Sequence, residues 1–235
     1  MIMRLSNMRV RGGFTLAEVL ITLGIIGVVA AMTMPTLMNS TQGAQYKAAY
    51  KKALSALSQA VTLNVALDEW SFADLDSDAD GSYGLKTMLK SRMNVVRDAE
   101  EKAFKDAKGD SYSVKVGSGK GIGVATVSAP GTNNVTLFFN DGIMFTFPKD
   151  VKSCTIGTDE GLNDTNRATL ITNKCTGFID VNGIKAPNRI VQCDGGTGTA
   201  DSCDIKSPTD VYPVIFYDQT ILPNSVAARA VLYSK

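Results

Sequence analysis

Residues 14–34, FTLAEVLITLGIIGVVAAMTM, are apolar or small almost throughout and carry one charge, Glu18. As an α-helix rising 1.5 Å per residue this run is roughly 31 Å long, the thickness of one bilayer hydrocarbon core. Arg4, Arg9 and Arg11 precede it and no acidic residue does. Cations on that side put the N-terminus of the helix on the cytoplasmic face. Glu18 is the anomaly, because a carboxylate is among the costliest groups to place in lipid. It calls for a partner, and cutting the chain just before Phe14 would free the nearest cation, an α-amine.

Two blander readings of the same stretch are a secretory signal peptide and a plain membrane anchor. Val29 and Ala31 would suit a signal-peptidase site. Against that reading, the apolar run is too long for an ordinary signal h-region and Glu18 lies inside it. Gly24 and Gly27 weaken a helix in water but allow close helix packing in lipid. Pro35 lacks an amide proton and clashes with the preceding turn, so a bend or break is expected there.

The whole N-terminal pattern resembles that of type IV pilins and type II secretion pseudopilins. The matching residues are a basic leader ending in Gly13, then Phe14, Thr15, Leu16 and Glu18, an unbroken apolar helix, and Pro35 where many such proteins carry a bending proline. The resemblance covers roughly residues 12–36. It implies a cleaved leader (1–13), cut after Gly13 by a prepilin peptidase that then methylates the amine of Phe14. It implies assembly through Phe14, Glu18 and Pro35 with like subunits in a helical filament. The further partners it implies are an inner-membrane assembly platform and, before assembly, membrane lipid. The location that follows is the cytoplasmic membrane, crossed once with the N-terminus inside, and then an extracellular filament.

Composition bounds the remainder. Without the three leader arginines the chain holds 21 basic and 23 acidic residues, a net charge of −2. A near-neutral body gives no strong nucleic-acid signal. The absence of histidine removes His-based triads, His general bases and His metal ligands. No other nucleophile–base pair is visible, so no enzymatic activity is expected. Cys154, Cys175, Cys193 and Cys203 all lie in the C-terminal half. An even count beyond a membrane segment reads as disulfides in an oxidising compartment, and none of the spacings is that of a zinc knuckle. Four cysteines allow three connectivities. The pairs Cys154–Cys175 and Cys193–Cys203 close the shortest loops at the lowest entropic cost.

Beyond Pro35, residues Tyr50, Leu54, Leu57, Val61 and Val65 recur every three or four positions, the period of a helix with one buried face. One long helix is therefore expected over about 14–67, in lipid for residues 14–34 and amphipathic for 35–67, bent near Pro35 and with a weak point at Gly43. A globular head of residues 68–235 follows. Asp76, Asp78, Asp80 and Gly81 match the opening of an EF-hand calcium loop, but Thr87 stands where that loop needs a bidentate glutamate. A bound calcium ion and a solvated acidic turn are the two readings; no other cofactor is expected.

Leu85, Met88, Leu89 and Met93 suggest a short helix, and the charged residues 98–108 a surface helix or loop. Residues 111–116 alternate, a β-signal, and Val124–Val127 is a further candidate strand. Gly117-Ser-Gly-Lys-Gly-Ile-Gly123 lacks the ending of a phosphate loop and reads as a flexible turn. Residues 135–139 and 143–147 flank Asn140-Asp141-Gly142, a strong hairpin signal. Further strands are expected at 177–181 and 211–217, with a turn at Asp218, in an otherwise loop-rich region containing a flexible 195–199 stretch. FIDVNGIKAPN, residues 178–188, also resembles the C-terminal region of many pilin-like proteins.

The expected fold is α+β, a long N-terminal helix against an antiparallel sheet with a disulfide-tied C-terminal loop region. The expected function is structural, a subunit of a type IV pilus or related filament. The alternatives are a pseudopilin of a type II secretion system and a minor or tip pilin for adhesion or DNA uptake.

Overall fold

The computed structural model describes residues 13–76, 84–100, 112–117, 119–122, 133–157, 161–199 and 202–233. The chain divides into two compact units, Met1–Thr41 and Gln42–Lys235. Helix α1, Leu16–Asp68, is 53 residues long and contains Pro35; it remains helical through Pro35 and Gly43. Gly43 has a packing reason: a Cβ there would lie 3.0 Å from the Pro208 ring.

Within Gln42–Lys235, the period read from the sequence is the face that packs. Tyr50, Leu54, Leu57 and Val61 are buried, Val65 partly so, together with the small Ala53 and Ala60 between them. Full burial of each large side chain is worth about 1.5–3 kcal/mol relative to exposure. Asn64 is the buried polar member of the face; its amide donates to the Ala60 and Met88 carbonyls and its Oδ1 accepts from Ser91. That fixes helix α2, Leu85–Arg92, whose Leu85, Met88 and Leu89 are buried.

Six strands form one antiparallel sheet: β1 Val95–Glu100, β2 Asn134–Phe139, β3 Met144–Pro148, β4 Thr176–Asp180, β7 Val211–Tyr217 and β8 Thr220–Pro223, in the order β1-β2-β3-β4-β7-β8. A separate hairpin pairs β5 Gly195–Thr199 with β6 Ser202–Asp204. Alternation sorts the side chains. Leu137, Phe145, Ile179 and Tyr212 join the core that contains α1, and Tyr50 stacks on Tyr212 with ring centroids 3.9 Å apart. Met144, Phe178 and Val211 point to the other face, where Tyr112 and Ile190 cover them. On that face Thr136 and Thr146 share a hydrogen bond across the β2–β3 pair at 2.9 Å. The β2–β3 turn is made at Gly142 with φ +83°, a conformation that favours glycine.

Two disulfides, Cys154–Cys175 and Cys193–Cys203, tie the C-terminal region. The first encloses helix α3, Asp164–Thr172, capped by Asn163. Helix α4, Val226–Tyr233, closes the described chain with Ala227, Ala228 and Val231 buried.

Several expectations are corrected. Residues 98–100 belong to strand β1: the β-branched Val95 and Val96 lead into it, and pairing with β2 outweighs the charge that follows. Residues 195–199 are a hairpin strand. Residues 112–117 form no strand: their one ladder pairing is the bridge of Lys115 to Arg189, and Tyr112 is held by its burial on the sheet. The glycine-rich stretch is held at Gly121, where φ is +70° and a Cβ would meet the Cys193 sulfur. The expected strand at 124–127 lies outside the described residues, as do Asp78, Asp80 and Gly81.

Candidate functional site

The N-terminal segment is chemically simple. Phe14 is 89% exposed and Leu16 80%, and the large apolar residues on to Met38 are exposed in the same way. Residues Leu16–Pro35 are long and apolar enough to cross a membrane, and no part of this stretch is buried against the rest of the chain. Gly13, Gly24 and Gly27 have nothing within 4 Å of where a Cβ would stand, so no contact among the described residues requires them to be glycine.

Polar groups along this rod are turned inward. Thr22 donates its hydroxyl to the Glu18 and Val19 carbonyls, Thr33 to Val29 and Thr41 to Leu37. Such back-bonding hides hydroxyls that lipid cannot satisfy. Pro35 has no N–H to return to the Ala31 carbonyl one turn earlier.

Glu18 sits in a reciprocal cap at the start of α1. Its Oε2 accepts from the Thr15 backbone N–H and from the Thr15 hydroxyl, both at 2.8 Å, and the Glu18 N–H donates to Thr15 Oγ1 at 3.3 Å. This is a capping box, in which a threonine and a glutamate three residues on satisfy each other's orphan amides. A carboxylate there also lies at the positive end of the helix dipole. The sequence reading found Glu18 by its charge and missed Thr15 as its partner. The signal was present as Thr15-Leu-Ala-Glu18 directly before an apolar run. Both bonds use Oε2, which leaves Oε1 for a donor from outside the segment.

Of the other candidates, the four cysteines are joined as the two disulfides. Asp76 is exposed, and among the described residues no group of three or more acids or cysteines is placed to hold a metal ion. A cleft of about 320 Å³ lies beside Ala53, Ala56, Ala60 and Leu63 of α1 and Phe139 of β2, with the Lys52–Asp141 ion pair (3.0 Å) among its lining residues. Its walls combine apolar surface with fixed polar groups and bring together no nucleophile and base.

Comparison with protein families matches residues 8–34 to the prokaryotic N-terminal methylation motif. No curated protein and no solved structure matches the chain. The matched residues contain Gly13, Phe14, Thr15 and Glu18, and the motif implies processing by prepilin peptidase and assembly with like subunits. The N-terminus of this chain is therefore the prepilin-type cleavage and methylation segment found in type IV pilins and pseudopilins.

Proposed function

We propose that this chain is a structural subunit of a type IV pilus or a related filament. It is inserted with its N-terminus inside, cut between Gly13 and Phe14, methylated on Phe14, and assembled through its N-terminal helix. The observation that carries the reading is the unburied apolar segment Leu16–Pro35, which overlaps the matched motif through Met34. A helix with so much exposed apolar surface needs lipid or other helices around it. Lipid serves the unassembled subunit; helices of neighbouring copies serve the filament. Passing from lipid to a helix bundle gains little from apolarity, because lipid tails are as apolar as leucine, so packing and the Glu18 carboxylate decide assembly. After cleavage the amine of Phe14 in a neighbouring copy is the cation suited to Glu18 Oε1.

Mass spectrometry of the mature N-terminus tests the processing. The expected species starts at Phe14 and carries one methyl group, and Gly13→Val abolishes it by crowding the cut site. A mature chain starting at Met32 would reveal a signal peptide and end this reading. Electron microscopy then separates the roles: long surface filaments built of this chain mark a pilus subunit, whereas their absence from secretion-competent cells marks a pseudopilin.

A further inference from the structure

Asp180, at the end of β4, and Asp210, just before β7, are both fully buried. Asp210 is close enough to perturb Asp180 electrostatically, and among the described residues no lysine or arginine side chain pairs with either. Each closes a different part of the 181–190 loop. Asp180 Oδ1 accepts from the Asn182 N–H at 3.2 Å, and its Oδ2 accepts from the Tyr112 hydroxyl at 2.6 Å. The Asp210 oxygens accept from the Asn188 and Arg189 N–H groups at 2.8 and 2.9 Å, and its carbonyl accepts from the Val181 N–H. The loop returns to the sheet at Ile190, which bridges to Val211.

We propose that Asp180 and Asp210 form a proton-dependent latch, which holds the 181–190 loop and Tyr112 on the sheet while Asp180 keeps its proton and loosens when both carboxylates are ionised. Two like charges in one buried site do not both ionise without cost. Asp210 faces two backbone amides, the donor set of an ionised carboxylate. Asp180 faces a hydroxyl that can also accept, so the proton belongs there. Burial first, and then the Asp210 charge, push the Asp180 carboxyl up to about 8, against the pull of Tyr112 and the loop amides. Burial likewise raises Asp210.

The other titratable groups facing the pair are Tyr112, Tyr46 of α1 and Tyr212 of β7, the last two beside Asp210. Burial is the first cause holding all three above their ordinary value, so they stay neutral while Asp180 titrates. Because the closed-state value lies above that of a free carboxyl, the advantage of the closed loop is complete below about pH 4. It is lost as pH rises through about 8.

The test is amide hydrogen exchange of the full chain in detergent, corrected for the intrinsic pH dependence of exchange. Protection at Asn182, Asn188 and Arg189 is expected to fall at least tenfold from pH 6 to pH 8 and then level off; one proton gives up to about tenfold per pH unit. Asp180→Asn should hold protection constant within about twofold. A flat profile in the unaltered chain, or a parallel fall in Asp180→Asn, overturns the latch. So does a profile that calcium chloride flattens and a chelator restores, since a cation and not a proton would then close the loop. Should Asp180→Asn not fold, carboxyl-carbon NMR of the unaltered chain decides: an aspartate midpoint near 8 supports the latch, and midpoints all below 5 refute it.

Discussion

Glu18 holds the start of α1 through its cap with Thr15, and the proposed filament gives its carboxylate a second task. In the single chain its Oε2 completes the cap with Thr15, and the same carboxylate offers Oε1 outward. Apolar helices packed in a bundle can slide along one another, whereas one charge pair in low dielectric has a definite position. Glu18→Val is therefore expected to leave cleavage and membrane insertion intact and to reduce filament yield severely. Glu18→Asp, one methylene shorter, should give an intermediate yield. Filaments counted by electron microscopy at matched expression provide the measurement, and normal numbers from the valine variant would remove Glu18 from the assembly contact. Its charge was legible in the sequence as an anomaly. Its cap was not, because attention to the membrane cost of a carboxylate hid an ordinary helix-start pattern.

At the scale of elements, two attachments set the stability of the head. The Cys154–Cys175 bridge spans 21 residues and is buried at both ends. A loop of that size contributes on the order of 3 kcal/mol by restricting the unfolded chain. Replacing both cysteines with alanine should lower the melting temperature of the head by several degrees, measured by calorimetry without reductant. An unchanged melting curve would mean that the enclosed α3 segment stays ordered even when unfolded. The second attachment is weaker. Lys86 and then Lys90 of α2 hold the Asp98 carboxyl of β1 down to about 2. A depressed carboxyl contributes stability that is present above about pH 4 and lost as pH falls towards 2. The site is partly exposed, so Asp98→Asn should cost less than about 1 kcal/mol at pH 7 and nothing at pH 2. A cost that persists at pH 2 in matched denaturant titrations would assign it to packing.

The same scale shows what the sequence could reveal about the fold. The β2–β3 hairpin stood out because alternation and Asn140-Asp141-Gly142 agree, and β7 because its apolar run is bounded by Asp210 and Asp218. Strand β1 was hidden because Arg97, Asp98 and Glu100 read as surface, although an exposed Arg97 and a half-buried Asp98 are compatible with pairing to β2. Helices α3 and α4 are only 9 and 8 residues long. Too few turns repeat for a period to emerge, and the Asn163 and Ser225 side chains that cap their first turns went unread. The links between Tyr112 and Asp180, and between Gly121 and Cys193, join residues far apart in sequence, and no local pattern encodes them.

For the whole molecule, the distribution of exposed apolar side chains decides where solubility ends. Among the described residues, fourteen of the large exposed apolar side chains lie between Phe14 and Met38; beyond them only Leu63, Leu67, Val96, Val116 and Tyr233 are so exposed. The second compact unit begins at Gln42, before the buried face of α1 starts near Tyr50. It also contains every strand among the described residues and both disulfides. Its described core includes no residue of the first unit, and the proposed function leaves the apolar segment to lipid and neighbouring subunits. A chain of residues 42–235, exported to an oxidising compartment, is expected to be soluble, monomeric and cooperatively folded. The full chain should require detergent. Sedimentation and thermal unfolding would check this together. Aggregation of the shortened chain, or loss of its cooperative transition, would show that residues before Gln42 help hold the head. The first turn of the shortened helix should fray as far as about Tyr46, because isolated helix ends lack partners for their amides. Added N-terminal turns that raised the melting temperature by more than a few degrees would locate the missing support in the helix itself.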